Sequence, residues 1–252
     1  MNPMQRLKKE LYEFRLLVKS VPTVMVTMFV LAVFSMNLLA NKSLTLPFDW
    51  LALDCGILVS WFAFLAMDVI TKHFGPKAAT EISVLATLLN LACCLLFFVG
   101  SKIPGVWGES FVPGSETLLN AALDHTFGGT WYVLAGSTAA FLVSAFVNNF
   151  VNALVGAAFR KRPDSLAAYV FRSYVSTAVG QFTDNLVFAL LVSHFFFGWT
   201  LVQCLTCALT GMLAELLCEV LFTAFGYRLC RKWRQEDVGK EYLDYRNGKE
   251  TA

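Results

Sequence analysis

One acid, Asp184, sits inside residues 172–190, a stretch otherwise apolar enough to cross a membrane. Between it and Arg172 run Ser173, Ser176, Thr177, Gln181 and Thr183, with the small residues Ala178 and Gly180. On a helix Arg172 lies about 18 Å from Asp184 along the axis. A charge near the centre of a bilayer costs at least ~2.5–3.5 kcal/mol on insertion scales, so Asp184 must face protein, water or a ligand. Gln181 shares its helical face, and Thr177 and Gly180 adjoin that face. Asn148, Asn149 and Asn152 form a second polar cluster, and Gly211, Glu215 and Glu219 recur at i, i+4, i+8 in a third apolar segment.

These residue types suit the binding of a planar, hydrogen-bonding ring. A carboxylate such as Asp184 accepts two parallel N–H bonds from a guanine-type edge, and Gln181, Asn148 or Asn149 pairs with a carbonyl and a ring nitrogen. Aromatic side chains such as Phe182 and Phe188 cover ring faces. The set Asp184, Gln181, Asn148, Asn149, Thr177, Ser176, Glu215, Phe182 and Phe188 is therefore the candidate binding site. It suits another polar, vitamin-sized solute equally well, so this chemistry alone selects no substrate. Asp68, Arg172 and Glu219 fall at similar depths and form a candidate ion-pair network that gates or stiffens the helices. Each group also has a plainer reading. Arg172 can snorkel to the headgroups, and the Asn and small residues can serve helix packing. A single Phe can face lipid or core.

Catalytic signatures are missing. The chain has no Walker loop, no HExxH and no GxSxG elbow. His73, His125 and His194 are scattered at segment edges, and no nucleophile and base cluster together. The seven cysteines fall in or beside apolar blocks and read as small buried hydrophobes. Cys204 and Cys207 make a CxxC spacing without a second pair or a nearby His, so it reads as core rather than metal or redox site. The expectation is a protein that is not an enzyme, with no cofactor and no metal.

The elements that position these residues follow from composition. Of 252 residues, 57% are hydrophobic and 15% charged, and there are 23 Phe; mean hydropathy is +0.59. The apolar residues come in long blocks, which predicts an all-α integral membrane protein in a lipid bilayer. A net charge of +2 gives no reason to expect nucleic acid as a partner. Residues 1–20 predict an amphipathic helix in the membrane interface, with Leu7, Leu11, Phe14 and Val18 among basic residues. Residues 21–230 form the six-helix transmembrane domain, and 231–252 a polar tail whose last 18 residues are expected to fray.

Six spans are expected at about 21–40, 51–70, 80–100, 131–157, 168–195 and 200–227. The first is too long for the apolar core of a signal peptide. Residues 101–129 read as one long loop holding a short helix over 115–125, with Ser115 as its N-cap. Basic clusters precede the first span, surround Lys72 and Lys77, occupy Arg160–Arg162 and follow residue 227, so both termini are expected in the cytoplasm. An internal echo aligns Ser144–Leu154 with Gly180–Leu190, matching Asn148 to Asp184, Asn149 to Asn185 and Phe146 to Phe182. Paired polar patches at corresponding depths are a feature of transporter sites.

The segment Arg172-Ser-Tyr-Val-Ser-Thr-Ala-Val-Gly-Gln-Phe-Thr-Asp184, followed by Phe188, resembles the pattern Arg-x-x-x-Ser-Thr-x-x-x-Gln-x-x-Asp-x-x-x-Phe of the vitamin-uptake, or queuosine-precursor transporter, family. Asp68-Val-Ile-Thr-Lys-His-Phe-Gly75 is similar to that family's Asp-x-x-x-x-x-x-Gly stretch. The resemblance covers roughly residues 20–230. It implies uptake of 7-cyano-7-deazaguanine or a related deazapurine base across a bacterial inner membrane, for use in tRNA modification. It also implies a compact six-helix bundle reminiscent of the substrate-binding subunits of energy-coupling-factor transporters. By position, Asp68, Arg172, Ser176, Thr177, Gln181 and Asp184 are its motif residues. Where relatives often carry a Gln and an acid in the fourth span, this chain has Ala145 and Asn148. A coupling ion and a homo-oligomer stay open, as does the alternative of a binding subunit with a separate ATPase. Against that alternative, the first span lacks an Ala-x-x-x-Ala surface.

Overall fold

The computed structural model describes residues 2–107, 114–158 and 166–248, without the side chains of 149, 152, 153, 156, 158, 166–173, 219 and 223. The helices are α1 (Pro3–Ser20), α2 (Thr23–Leu39), α3 (Ile57–Phe74), α4 (Pro76–Gly100), α5 (Glu116–Ala158), α6 (Leu166–Phe188), a π-helical turn (Ala189–Ser193), α7 (His194–Phe197), α8 (Leu201–Gln235) and α9 (Lys240–Arg246). Among the described residues no strand forms beyond one isolated antiparallel bridge, Ser43 with Asp54. Five helices are long and apolar enough to cross a membrane, six if α1 and α2 count as one bent span. The all-α membrane class therefore holds. Contacts divide the chain into two units, one of residues 1–34, 59–90 and 219–252, the other of 35–58 and 91–218.

In the first unit α1 opens on a capping box. Asn2 Oδ1 accepts from Met4 N, and Gln5 Oε1 accepts from Asn2 N. Pro22 disfavours helix at Val21, which is extended (φ −73°, ψ 131°). The pair α1 and α2 accordingly bends by 100°. Gly75, at φ +93°, supplies the left-handed turn between α3 and α4, and Pro76 starts α4.

The tail departs from the expected frayed end. Helix α8 continues to Gln235, and α9 folds back so that Tyr242 is fully buried. Arg246 Nη1 donates to the Phe74 carbonyl at 2.6 Å, capping the end of α3. The His73 ring pairs with the Val238 carbonyl at 2.9 Å, and Tyr242 packs edge-on against Phe74. The polar composition that predicts fraying conceals three anchors, Trp233, Tyr242 and Arg246.

In the second unit two boundaries move. Residues 51–56, expected at the start of the second span, instead close a loop. Cys55 N donates to the Lys42 carbonyl and Asp54 Oδ1 accepts from Gly56 N at 2.7 Å, so helix begins at Ile57. Gln203 Nε2 and Thr206 Oγ1 of α8 hold this loop by donating to the Asp49 and Trp50 carbonyls at 2.9 and 2.7 Å. The expected short helix and fourth span are one 43-residue helix, α5. Gly128 and Gly129, within the stretch expected as loop, stay helical and admit Ser101 and Phe196 against the backbone.

Candidate functional site

Helix α6 places polar groups against two neighbours at one level. On one face Ser176, Gly180 and Asp184 recur at i, i+4, i+8, and this face meets α5. Ser144 Oγ on α5 donates to Asp184 Oδ1 at 3.0 Å. One turn away Gly180 lies so close to Asn148 that an added Cβ would stand 3.1 Å from the Asn148 Cβ. Further along, Val192 presses on Gly136 and the Tyr132 hydroxyl donates to the Leu191 carbonyl at 2.6 Å. The contacts run in opposite order along the two helices, which are therefore antiparallel.

The other face meets α8. Asn185 Nδ2 donates to Glu215 Oε2 at 3.2 Å, across a gap kept open by Gly211, where an added Cβ would fall 3.0 Å from the Asn185 amide. Cys204 Sγ donates to the Ala189 carbonyl at 3.5 Å. Adjacent residues 184 and 185 thus tie α6 to α5 and to α8, so that two carboxyl groups bracket one helical turn. The π-helical turn begins five residues after Asp184. Such single-turn insertions shift the side-chain register and occur often at functional sites.

Two acceptors in this layer lack donors. Gln181 is buried (7% exposed), and its Oε1 has no hydrogen-bond partner; neither has the buried Oδ1 of Asn148. Each unsatisfied buried acceptor costs about 1–3 kcal/mol. A solute bearing N–H donors would recover that energy. Among the described residues Asp184 has Ser144 as its hydrogen-bond donor and no cation at ion-pair distance.

Of the residues singled out in the sequence, Asp184, Gln181, Asn148, Glu215 and Ser176 belong to this layer or the adjoining turn. Ser176 and Glu215 are buried, while Thr177 and Phe182 are half-buried. Phe188 packs against the core of Ala40, Val133 and Val192, which gives it a packing role in this structure. The side chains of Asn149, Arg172 and Glu219 lie outside the described residues. Asp68 pairs with Lys72 on its own helix at 3.4 Å, with both side chains about half exposed. Ser144 and Asn185 are site residues that sequence reasoning passed over. The available signal was their place in the echo, Ser144 at its start and Asn185 opposite Asn149. Among the described residues no three His, Cys, Asp or Glu converge to hold a metal ion.

Residues 54–229 match the model of a protein family described as "Putative vitamin uptake transporter". Neither the curated proteins nor the solved structures contain a match to the chain.

Proposed function

The chain belongs to the vitamin uptake transporter family, and on that premise we propose that it imports 7-cyano-7-deazaguanine, or a related deazapurine base, across a bacterial inner membrane. The observation that carries this reading is the pair of buried, donor-less acceptors, Gln181 Oε1 and Asn148 Oδ1, in the same layer as the Asp184 carboxyl. A deazaguanine ring presents several N–H donors on one edge, which such acceptors receive. Gln181 and Asp184 grip that edge from α6, and Asn148 completes the site from α5. The basic clusters before α2, at Lys72 and Lys77, at Arg160–Arg162 and beyond residue 227 support cytoplasmic termini.

The test uses a bacterium unable to make or import the precursor, expressing this chain and given trace 7-cyano-7-deazaguanine. Queuosine in its transfer RNA is then measured. Restored modification, lost with Asp184→Ala at equal membrane insertion, is the expected result. Unmodified transfer RNA with well-inserted wild-type protein would reject this substrate.

A further inference from the structure

The echo between α5 and α6 acquires a geometric meaning once their contacts are known. Ala140, Ser144 and Asn148 stand at i, i+4, i+8 on α5, and Ser176, Gly180 and Asp184 stand in the same pattern on α6. Each series runs small, small, polar. Ala140 and Ser176 are both buried, at 0% and 2% exposure, as are Ser144 and Gly180. Aligned in sequence, Asn148 corresponds to Asp184 and Ser144 to Gly180. In space the correspondence is crossed: Asp184 meets Ser144, and Asn148 meets Gly180. Each helix thus sets its polar residue over the small residue of the other. Two equivalent segments that cross antiparallel and exchange contacts in this way are related by a local two-fold axis, the same reciprocity that defines an isologous interface between subunits.

We infer that Asn148 and Asp184 are symmetry-equivalent anchors of one binding site, built on an inverted pair of helix segments, and that the residue at 148 sets how much negative charge the site presents. This deepens the transport reading and rests on it. With Asn at 148, the α5–α6 crossing holds a single carboxyl. An acid placed at 148 would stand over Gly180 as Asp184 stands over Ser144. Moving the carboxyl from one helix to the other leaves the site's charge unchanged and relocates it through the two-fold axis. The small partners differ, since Ser144 offers a hydroxyl and Gly180 none, so the exchanged site lacks one hydrogen bond.

Two measurements test this, and the first needs no solute. In a cysteine-free background, Ser144→Cys/Asp184→Cys and Asn148→Cys/Gly180→Cys are each oxidised in membranes. Disulfides form between Cβ atoms about 3.5–4.5 Å apart; positions 148 and 180, at 3.1 Å, reach that window by parting a few tenths of an ångström, and both pairs are expected to bridge. If the Gly180→Cys chain fails to insert, Ala140→Cys/Phe188→Cys, one turn away in the same antiparallel register, takes its place. Bridging of only the 144/184 pair would overturn the reciprocal crossing. The second measurement is uptake. Asp184→Asn is expected to fall at least tenfold, and Asn148→Asp/Asp184→Asn to recover to within about fivefold of wild type. A double variant that inserts and cross-links normally but stays as inactive as Asp184→Asn would overturn the equivalence. Lack of 7-cyano-7-deazaguanine uptake by the wild type would reject the substrate alone. The cross-linking of the two pairs, which needs no solute, would then decide the equivalence.

Discussion

Neighbouring residues on one helical turn do separate work here. Asp184 and Asn185 differ by one position, about 100° of rotation on a helix, and that rotation sends one to Ser144 on α5 and the other to Glu215 on α8. A second acid illustrates how a loop can hold a carboxyl outside the spans. Asp54 lies just before α3, and burial pushes its carboxyl up to about 6, with the Gly56 N–H pulling it part of the way back. The unfolded chain loses this proton near pH 3.9. The folded state therefore binds a proton that the unfolded state has released, and stability falls as pH rises from about 4 to about 6. Asp54→Asn should flatten that slope, as followed by thermal unfolding in detergent across the window. An unchanged slope would assign it to another group.

At the scale of elements, small residues decide how closely the helices approach. Gly136, Gly180 and Gly211 each face a side chain of a neighbouring helix, namely Val192, Asn148 and Asn185. Close backbone approach at such positions supplies the packing that drives helix association in lipid. Gly136 is the most confined of the three, because Val192 is fully buried and belongs to the π-helical turn. Gly136→Ala should destabilise the protein by about 1–3 kcal/mol through overpacking. Gly100→Ala, where nothing stands within 4 Å, should leave the melting temperature unchanged. Equal melting temperatures for the two variants would mean that the π-helical turn yields without strain.

At the scale of the whole chain, each unit has its own anchor. In the second, the loop before α3 is tied to α8 through Gln203 and Thr206. In the first, α1 and α9 meet at Tyr12 and Tyr245, ring centroids 5.4 Å apart, and Lys77 binds Glu10 and Glu13 of α1 at 3.0 and 2.8 Å. Tyr242 is the largest fully buried side chain there. Its removal in Tyr242→Ala should cost about 3–5 kcal/mol, by analogy with other buried aromatics. It should also expose the chain after Gln235 to limited proteolysis of the detergent-solubilised protein. A tail as resistant as in the wild type would show that Arg246 and Trp233 hold it unaided.

The sequence by itself determined the membrane class, because long apolar blocks admit no other way to satisfy the backbone. It also singled out Asp184, Gln181 and Glu215, since polar groups in such blocks are expensive wherever they occur. It did not determine which helices they address. Hydrophobicity is nearly uniform around these segments, so no apolar stripe reveals their rotation, and the signal at Ser144 and Asn185 was their place in the echo, which does not say which helix each one meets. Residues 51–56 read as span because they are largely apolar, and tertiary hydrogen bonds hold this stretch as a loop, Cys55 N to the Lys42 carbonyl and α8 to the Asp49 and Trp50 carbonyls. Residues 126–129 read as loop, and the contacts of Ser101 and Phe196 with Gly128 and Gly129 favour an unbroken α5. The echo was visible in the sequence as a parallel alignment. Consecutive spans cross in opposite directions by topology alone. Only the structure showed that the two segments face each other in a register that makes crossed pairs, Asp184 with Ser144 and Asn148 with Gly180, because which faces meet is a property of the packing and not of either segment.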